Sequence, residues 1–134
     1  MNEMKKMTGM VKVCNFKSFP RMRDMKNEAA WKKAEMISQL CEKMREFISL
    51  DMNDGQMEFM QTGKIQFVSR QIFEQSVNEI LKDIDDTKFR KELIETSRQR
   101  VLEELKDAGW TMTRKDGVHY IVPSDYEPEI LIEE

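Results

Sequence analysis

The stretch from Thr87 to Val122 constrains the fold most, because two incompatible periodicities meet within it at a glycine. Phe89, Leu93, Ser97, Val101, Leu105 and Ala108 recur every three or four residues, with Ile94 and Leu102 beside them, which is the spacing of one helical face. Trp110 to Arg114 and Val118 to Val122 then alternate as strands do, on either side of Lys115-Asp116-Gly117. Between the two stands Gly109, the residue type that closes a helix in the left-handed conformation without a Cβ clash. The stretch reads as a helix over Lys88 to Asp107 that feeds directly into a β-hairpin, with Trp110 in the core between them.

The preceding segments look like helices that need this unit as a partner. Trp31, Ala34, Ile37, Leu40, Cys41, Met44, Phe47 and Ile48 share one face of a helix expected over Asn27 to Leu50. Asn27 is its candidate N-cap, and Asp51-Met52-Asn53-Asp54-Gly55 its end. Ile65, Val68, Ile72, Phe73, Val77, Ile80, Leu81 and Ile84 predict a second helix, roughly Gln66 to Ile84, closed by Asp85-Asp86-Thr87, which also caps the third. Gln56 to Lys64 is left as loop or short strand. Met57 and Phe59 alternate, as do Ile65 and Phe67, so a hairpin turning at Thr62-Gly63 is the other reading. Glu129-Ile130-Leu131-Ile132 is a candidate third strand. The expected class is α+β: three amphipathic helices followed by a C-terminal β-hairpin or small three-stranded antiparallel sheet.

A chain of 134 residues suffices for one domain with a core of its own. The expected organisation is a basic arm or edge strand over 1–26, including the alternating Met10 to Phe16, then a single domain over 27–134 with an acidic tail. Charge supports that division. Nine bases and three acids lie between Met1 and Lys33, whereas Tyr120 to Glu134 holds five acids and no base. Such ends meet each other or meet partners. The formal charge of −3 gives no general pull toward nucleic acid or anionic lipid. No apolar run approaches the ~18 residues of a membrane span, and the two cysteines, Cys14 and Cys41, fit no paired motif. A cytoplasmic protein without membrane contact is expected. Twelve methionines suit irregular cores and adaptable binding surfaces alike.

The residues that carry chemistry are sparse. A single histidine, His119, precludes a His–His metal pair, and a histidine in mid-strand is ordinarily half-buried structure. Asp83, Asp85 and Asp86 crowd together, but a calcium loop begun at Asp83 would need glycine at Lys88 and glutamate at Ile94. Helix termination and capping explain these acids. No cofactor or metal is expected.

Three helices followed by a hairpin resemble the order of elements in winged-helix domains, where the last helix enters a DNA groove and the hairpin flanks it. The residues from Ser97 to Gly109 stand where such a domain has its recognition helix and exit. The resemblance implies Arg98 and Arg100 on phosphates or base edges, and Arg114 and Lys115 at the wing tip. Glu92, Glu95, Glu103 and Glu104 dilute that positive face. A second, local resemblance spans Val101 to Ile132. Gly109-Trp110, Arg114, Gly117 and His119 are spaced like the strand region of HicA-type toxins, small RNA-cleaving proteins with a dsRNA-binding-like fold. It implies His119 as a catalytic residue. The chain departs from that pattern at Val118, where the family has serine, and shows no second helix after the third strand.

Neither resemblance assigns a family. The reading taken forward is a non-enzymatic regulatory or inhibitory protein that binds a macromolecular partner stoichiometrically, as many phage and mobile-element products do. A protein partner and a homodimer are expected, because three apolar stripes exceed what one small hairpin covers. Phe19, Trp31, Tyr126, Ile130 and Leu131 are the candidate protein contacts. The alternative is a nucleic-acid-binding regulator acting through Arg98, Arg100, Arg114 and Lys115.

Overall fold

The structure, a computed structural model, describes residues 19–126. The candidate strands at Met10 to Phe16 and Glu129 to Ile132 lie outside the described residues. The chain divides into two compact units, Met1–Lys32 and Lys33–Glu134.

In the first unit, the chain leaves Phe19-Pro20 and enters helix α1 (Met22–Asp54), whose first amide bond runs from Met25 N–H to the Arg21 carbonyl at 3.0 Å. Asn27 is therefore an interior helical residue and not the cap. Proline just ahead of the helix costs no ladder bond there, so the helix starts earlier than its apolar stripe suggests.

In the second unit, α1 buries Ile37, Leu40, Cys41, Met44, Ile48 and Asp51, spaced by three and four. Ala34, on the predicted stripe, is exposed. A stripe states which residues share a face, and not how far along the helix a partner reaches. Asp51 is no turn former. It lies in the last turn of α1, buried, and its carboxylate accepts from the Ser69 amide at 2.8 Å and the Ser69 hydroxyl at 2.7 Å. Gly55 follows because no side chain fits: an added Cβ would stand 2.7 Å from Ile65 Cγ2 and 2.9 Å from the Asp51 carbonyl oxygen.

Gln56 to Thr62, expected as loop or strand, is helix α2 (Gln56–Thr62). It buries no residue, so it left no period to read. Strand β1 (Ile65–Gln66) comes next, then helix α3 (Arg70–Ile80), which is shorter than the predicted Gln66 to Ile84. Phe73, Val77 and Leu81 are buried as the stripe requires, but Val68 and Ile72 are exposed. The start of the predicted helix is taken up by strand pairing, which outweighs local preference.

Helix α4 (Thr87–Asp107) matches its expectation closely. The Asp86 side chain accepts from the Phe89 amide at 3.0 Å, and Leu93, Ser97, Val101 and Leu105 are buried. Strands β2 (Trp110–Lys115) and β3 (Val118–Pro123) form the hairpin. Lys115 pairs with Val118, so the turn is Asp116-Gly117 alone. Both residues have positive φ, 54° and 82°, the two-residue turn that follows strand twist and favours Asp-Gly. The described sheet is antiparallel in the order β1-β3-β2, with Ile65 opposite Ile121. Its third strand thus comes from ahead of α3. The architecture is α+β, with four helices and one small antiparallel sheet among the described residues. Trp110, expected in the core between helix and hairpin, is only half-buried against it, and its ring meets Phe59 of α2 edge-on, with centroids 5.4 Å apart.

Candidate functional site: a basic cleft

The sheet face that carries Met112 and Ile121 also carries Arg114 and His119, because residues paired across an antiparallel ladder project to the same side. Ile121 is fully buried, whereas the hairpin end holding Arg114 and His119 extends past the packed core. There the sheet, α3 and α4 enclose a cleft of about 710 Å³. Its floor is apolar, built from Met44, Phe67, Phe73, Val77, Ile94, Leu102 and Met112. Its polar lining consists of Arg70, Glu74 and Asn78 from α3, Arg98 from α4, and Thr113, Arg114 and His119 from the hairpin.

Helical spacing places the groups. Arg70 and Glu74 are four apart on α3 and flank the buried Phe73, while Arg98 stands four residues from both Ile94 and Leu102 on α4. The corner between α3 and α4 is held by Arg90. Its guanidinium donates to the Leu81 carbonyl at 2.6 Å, the Ile84 carbonyl at 3.1 Å and the Asn78 side-chain oxygen at 2.9 Å. It thereby ties the turn after α3, whose Leu81 carbonyl also accepts from the Ile84 amide, to the first turn of α4.

Each arginine of the cleft is engaged differently. Arg70 meets Glu74 at 3.2 Å within α3. Arg98 grips both oxygens of Glu95, each at 3.2 Å, within α4. The Glu95 carboxyl, which also accepts from Gln99 at 2.8 Å, is held below its ordinary pKa by the Gln99 and Arg98 hydrogen bonds. Arg114 makes no ion pair among the described residues. Together they act on His119, whose pKa is lowered by burial first, then by the charges of Arg70, Arg114 and Arg98, with Glu74 opposing. Burial and three permanent cations thus all favour the neutral imidazole. Guanidinium groups present fixed forks of donors that match carboxylates and phosphates, and the apolar floor suits a ligand with a hydrophobic body.

Of the four arginine and lysine candidates, Arg98 and Arg114 come together here. Arg100 is exposed on α4, about 200° around the axis from Arg98, and Lys115 is exposed at the end of β2. Neither lines the cleft. Arg70 was not among the candidates, and only its spacing from Glu74 and Phe73 hinted at a functional face. His119, named through resemblance to RNA-cleaving toxins, is half-buried among the arginines. Among the protein-contact candidates, Phe19 and Trp31 are 94% and 61% exposed within the first unit, with Met22 and Met25 also exposed there. Trp31 therefore is not core packing, although it shares the predicted stripe. Tyr126 is half-buried, and Ile130 and Leu131 lie outside the described residues. Of the clustered aspartates, Asp86 serves as the α4 cap. Among the described residues, no helix is long and apolar enough to cross a membrane, and no group of acids, histidine and cysteine could hold a metal ion. Comparison with protein-family models, curated proteins and solved structures finds no match to this chain.

Proposed function

We propose that this protein is a non-enzymatic binding protein whose specific contact with a protein partner is the basic cleft. The convergence of Arg70, Arg98 and Arg114 with His119 over an apolar floor carries this reading. Such a surface offers oriented charge-assisted hydrogen bonds together with apolar contact, the combination that anchors protein segments. In the first unit, exposed Met22 and Met25 lie one turn apart on α1, with exposed Phe19 just ahead of the helix. Exposed Trp31 stands about 180° around the helix from Met22, so this end offers apolar side chains of the kind found at protein contacts. A regulatory or inhibitory role follows the same logic, since stoichiometric capture needs affinity and not turnover.

The single histidine makes the cleft directly observable by proton NMR, because its ring signal needs no assignment. Titration with sodium sulfate should shift that signal and raise the His119 pKa, as a bound anion offsets the neighbouring guanidinium charges. The same titration of Arg98→Ala with Arg114→Ala should leave it nearly still. A His119 signal indifferent to sulfate in the wild-type chain, at matched ionic strength in chloride, would defeat the cleft as an anion-recognising surface.

One observation favours nucleic acid as a second reading. The succession α3, α4, β2, β3, with β1 from ahead of α3 added beside β3, is similar to the order in winged-helix domains, which supports reading α4 as a recognition helix. Anisotropy of labelled single- and double-stranded DNA and RNA across a salt series tests it. Binding that weakens steeply with salt would establish phosphate contacts, and none at low salt would end that reading.

A further inference from the structure

Resting on the reading of the cleft as a protein-binding surface, we infer that its partner is a peptide segment in which aliphatic side chains are flanked by carboxylates. The cleft already displays this chemistry on its own residues. Arg70 and Arg98 each hold a carboxylate, Glu74 or Glu95, in an exposed pair confined to one helix. Such pairs are worth little in water, so an incoming carboxylate exchanges for an internal one at small cost. Arg114, with no ion pair among the described residues, is open to a third. Between these charges the half-buried Ile94, Leu102 and Met112 offer aliphatic surface.

The same features disfavour nucleic acid. Unpaired bases are held by stacking on exposed aromatic faces, yet the aromatic rings of the floor, Phe67 and Phe73, are each only 7% exposed. A polyanion also needs a continued basic track, but Arg100 and Lys115 lie off the cleft, Glu74 lies along it, and Glu95 pairs with Arg98. A short acidic segment needs only the local cluster. The sequence of this chain contains a segment of that chemistry, Glu127-Pro128-Glu129-Ile130-Leu131-Ile132-Glu133-Glu134, with three aliphatic residues between glutamates.

A fluorescein-labelled peptide of that eight-residue sequence is the first probe, titrated against the full chain by anisotropy. A second receptor carries Glu127→Gln, Glu129→Gln, Glu133→Gln and Glu134→Gln, so that the chain's own copy of the sequence does not compete. The peptide should bind at least the second receptor, and its all-glutamine counterpart about tenfold more weakly or worse. Arg98→Glu with Arg114→Glu, in the second receptor, should abolish binding with an unchanged melting curve, and a lysine version of the peptide should restore it. A single-stranded eight-nucleotide RNA is the control ligand. RNA binding lost in the arginine double variant, with no peptide binding, would overturn this inference while leaving a basic cleft in place. Peptide binding that survives the double variant would overturn both the inference and the cleft reading. No binding of the peptide to either receptor would overturn the inference, with the sulfate titration left to judge the cleft alone.

Discussion

The charged contacts of the α1 flank and those of the basic cleft involve the same residue types and behave oppositely. On the flank, beside the local Lys43–Glu46 pair, three contacts reach distant parts of the chain. Asp51 of α1 binds Ser69, Arg45 grips both oxygens of Glu104 of α4 at 2.7 and 3.0 Å, and Lys33 reaches Glu92 at 3.2 Å. In the cleft, Arg70 and Arg98 are paired only within their own helices, and Arg114 has no carboxylate among the described residues. A contact that joins distant segments resists unfolding. One that closes within a single turn of helix contributes little to the fold and leaves its charge available. The difference sorts polar residues into those that hold the structure and those that face a ligand.

The largest effect expected from this division is at Asp51. Asp51→Ala leaves the buried Ser69 amide and hydroxyl without their acceptor, and should destabilise the chain by about 2–4 kcal/mol. Thermal or urea denaturation followed by circular dichroism measures it. A loss no larger than that of an exposed alanine substitution would mean the clamp is not structural, and the division would fail at its strongest point.

Asp51 also shows where sequence reading stops. Its place among turn formers was local information, and its partner lies eighteen residues on. Features set by near neighbours were legible: the Leu93, Ser97, Val101, Leu105 face, the Asp86 cap and the Asp-Gly turn all depend on residues within a turn or two. Features set by distant pairing were not. The tract from Ile65 to Phe67 alternates and also continues a helical stripe, and only its bonds to β3, including Phe67 N–H to the His119 carbonyl at 2.8 Å, decide between them. Arg98 and Arg114 were legible as basic residues on a helix and a hairpin. Their meeting with Arg70 and His119 needed the fold to bring α3, α4 and that hairpin around one cleft, which no spacing announces. The charge of Glu95 and Glu104 argued for a solvated face, and half of that argument holds. Glu104 turns out to bind α1, and Glu95 to occupy a cleft arginine.

A smaller effect is expected from the outer pair. Arg45 and Glu104 are bidentate but half-exposed, with side chains 49% and 50% accessible, so water screens most of their attraction. Arg45→Ala should cost about 0.2–1 kcal/mol. The Glu104 carboxyl is held below its ordinary 4.5 by the Arg45 hydrogen bond, so this stability is full above that value and is lost as pH falls through the lowered one. A double-mutant cycle with Glu104→Gln isolates the pair, and a coupling of zero would make the flank no different from the cleft.

His119 gives the cleft its own pH signature, in a separate window. Its folded pKa lies below the ordinary 6.5, so as pH falls the unfolded chain takes up the proton first. Stability from this group is complete above about 6.5 and declines as pH drops from there to the lowered value. His119→Gln should flatten the melting temperature across that interval and leave the acid limb of Glu104 untouched. A histidine variant with the same slope as wild type would show that neither burial nor the arginines lower the pKa of the imidazole.

The smallest expected effect bears hardest on the comparison. Arg98→Ala with Arg114→Ala removes two charges that touch no distant segment, and should change stability by no more than about 0.5 kcal/mol. Loss of the Arg98 pair with Glu95 is offset by relief of repulsion among three neighbouring cations. The His119 pKa should rise in the double variant, because two of its three repelling charges are gone and the shortened side chains cover it no more than before. Denaturation and the histidine NMR titration read these two quantities on one sample. Unchanged stability with a raised His119 pKa is what a ligand-facing cluster produces. A loss comparable to that of Asp51→Ala would place the cleft arginines with the flank, as parts of the fold, and remove the basis for treating the two regions as different.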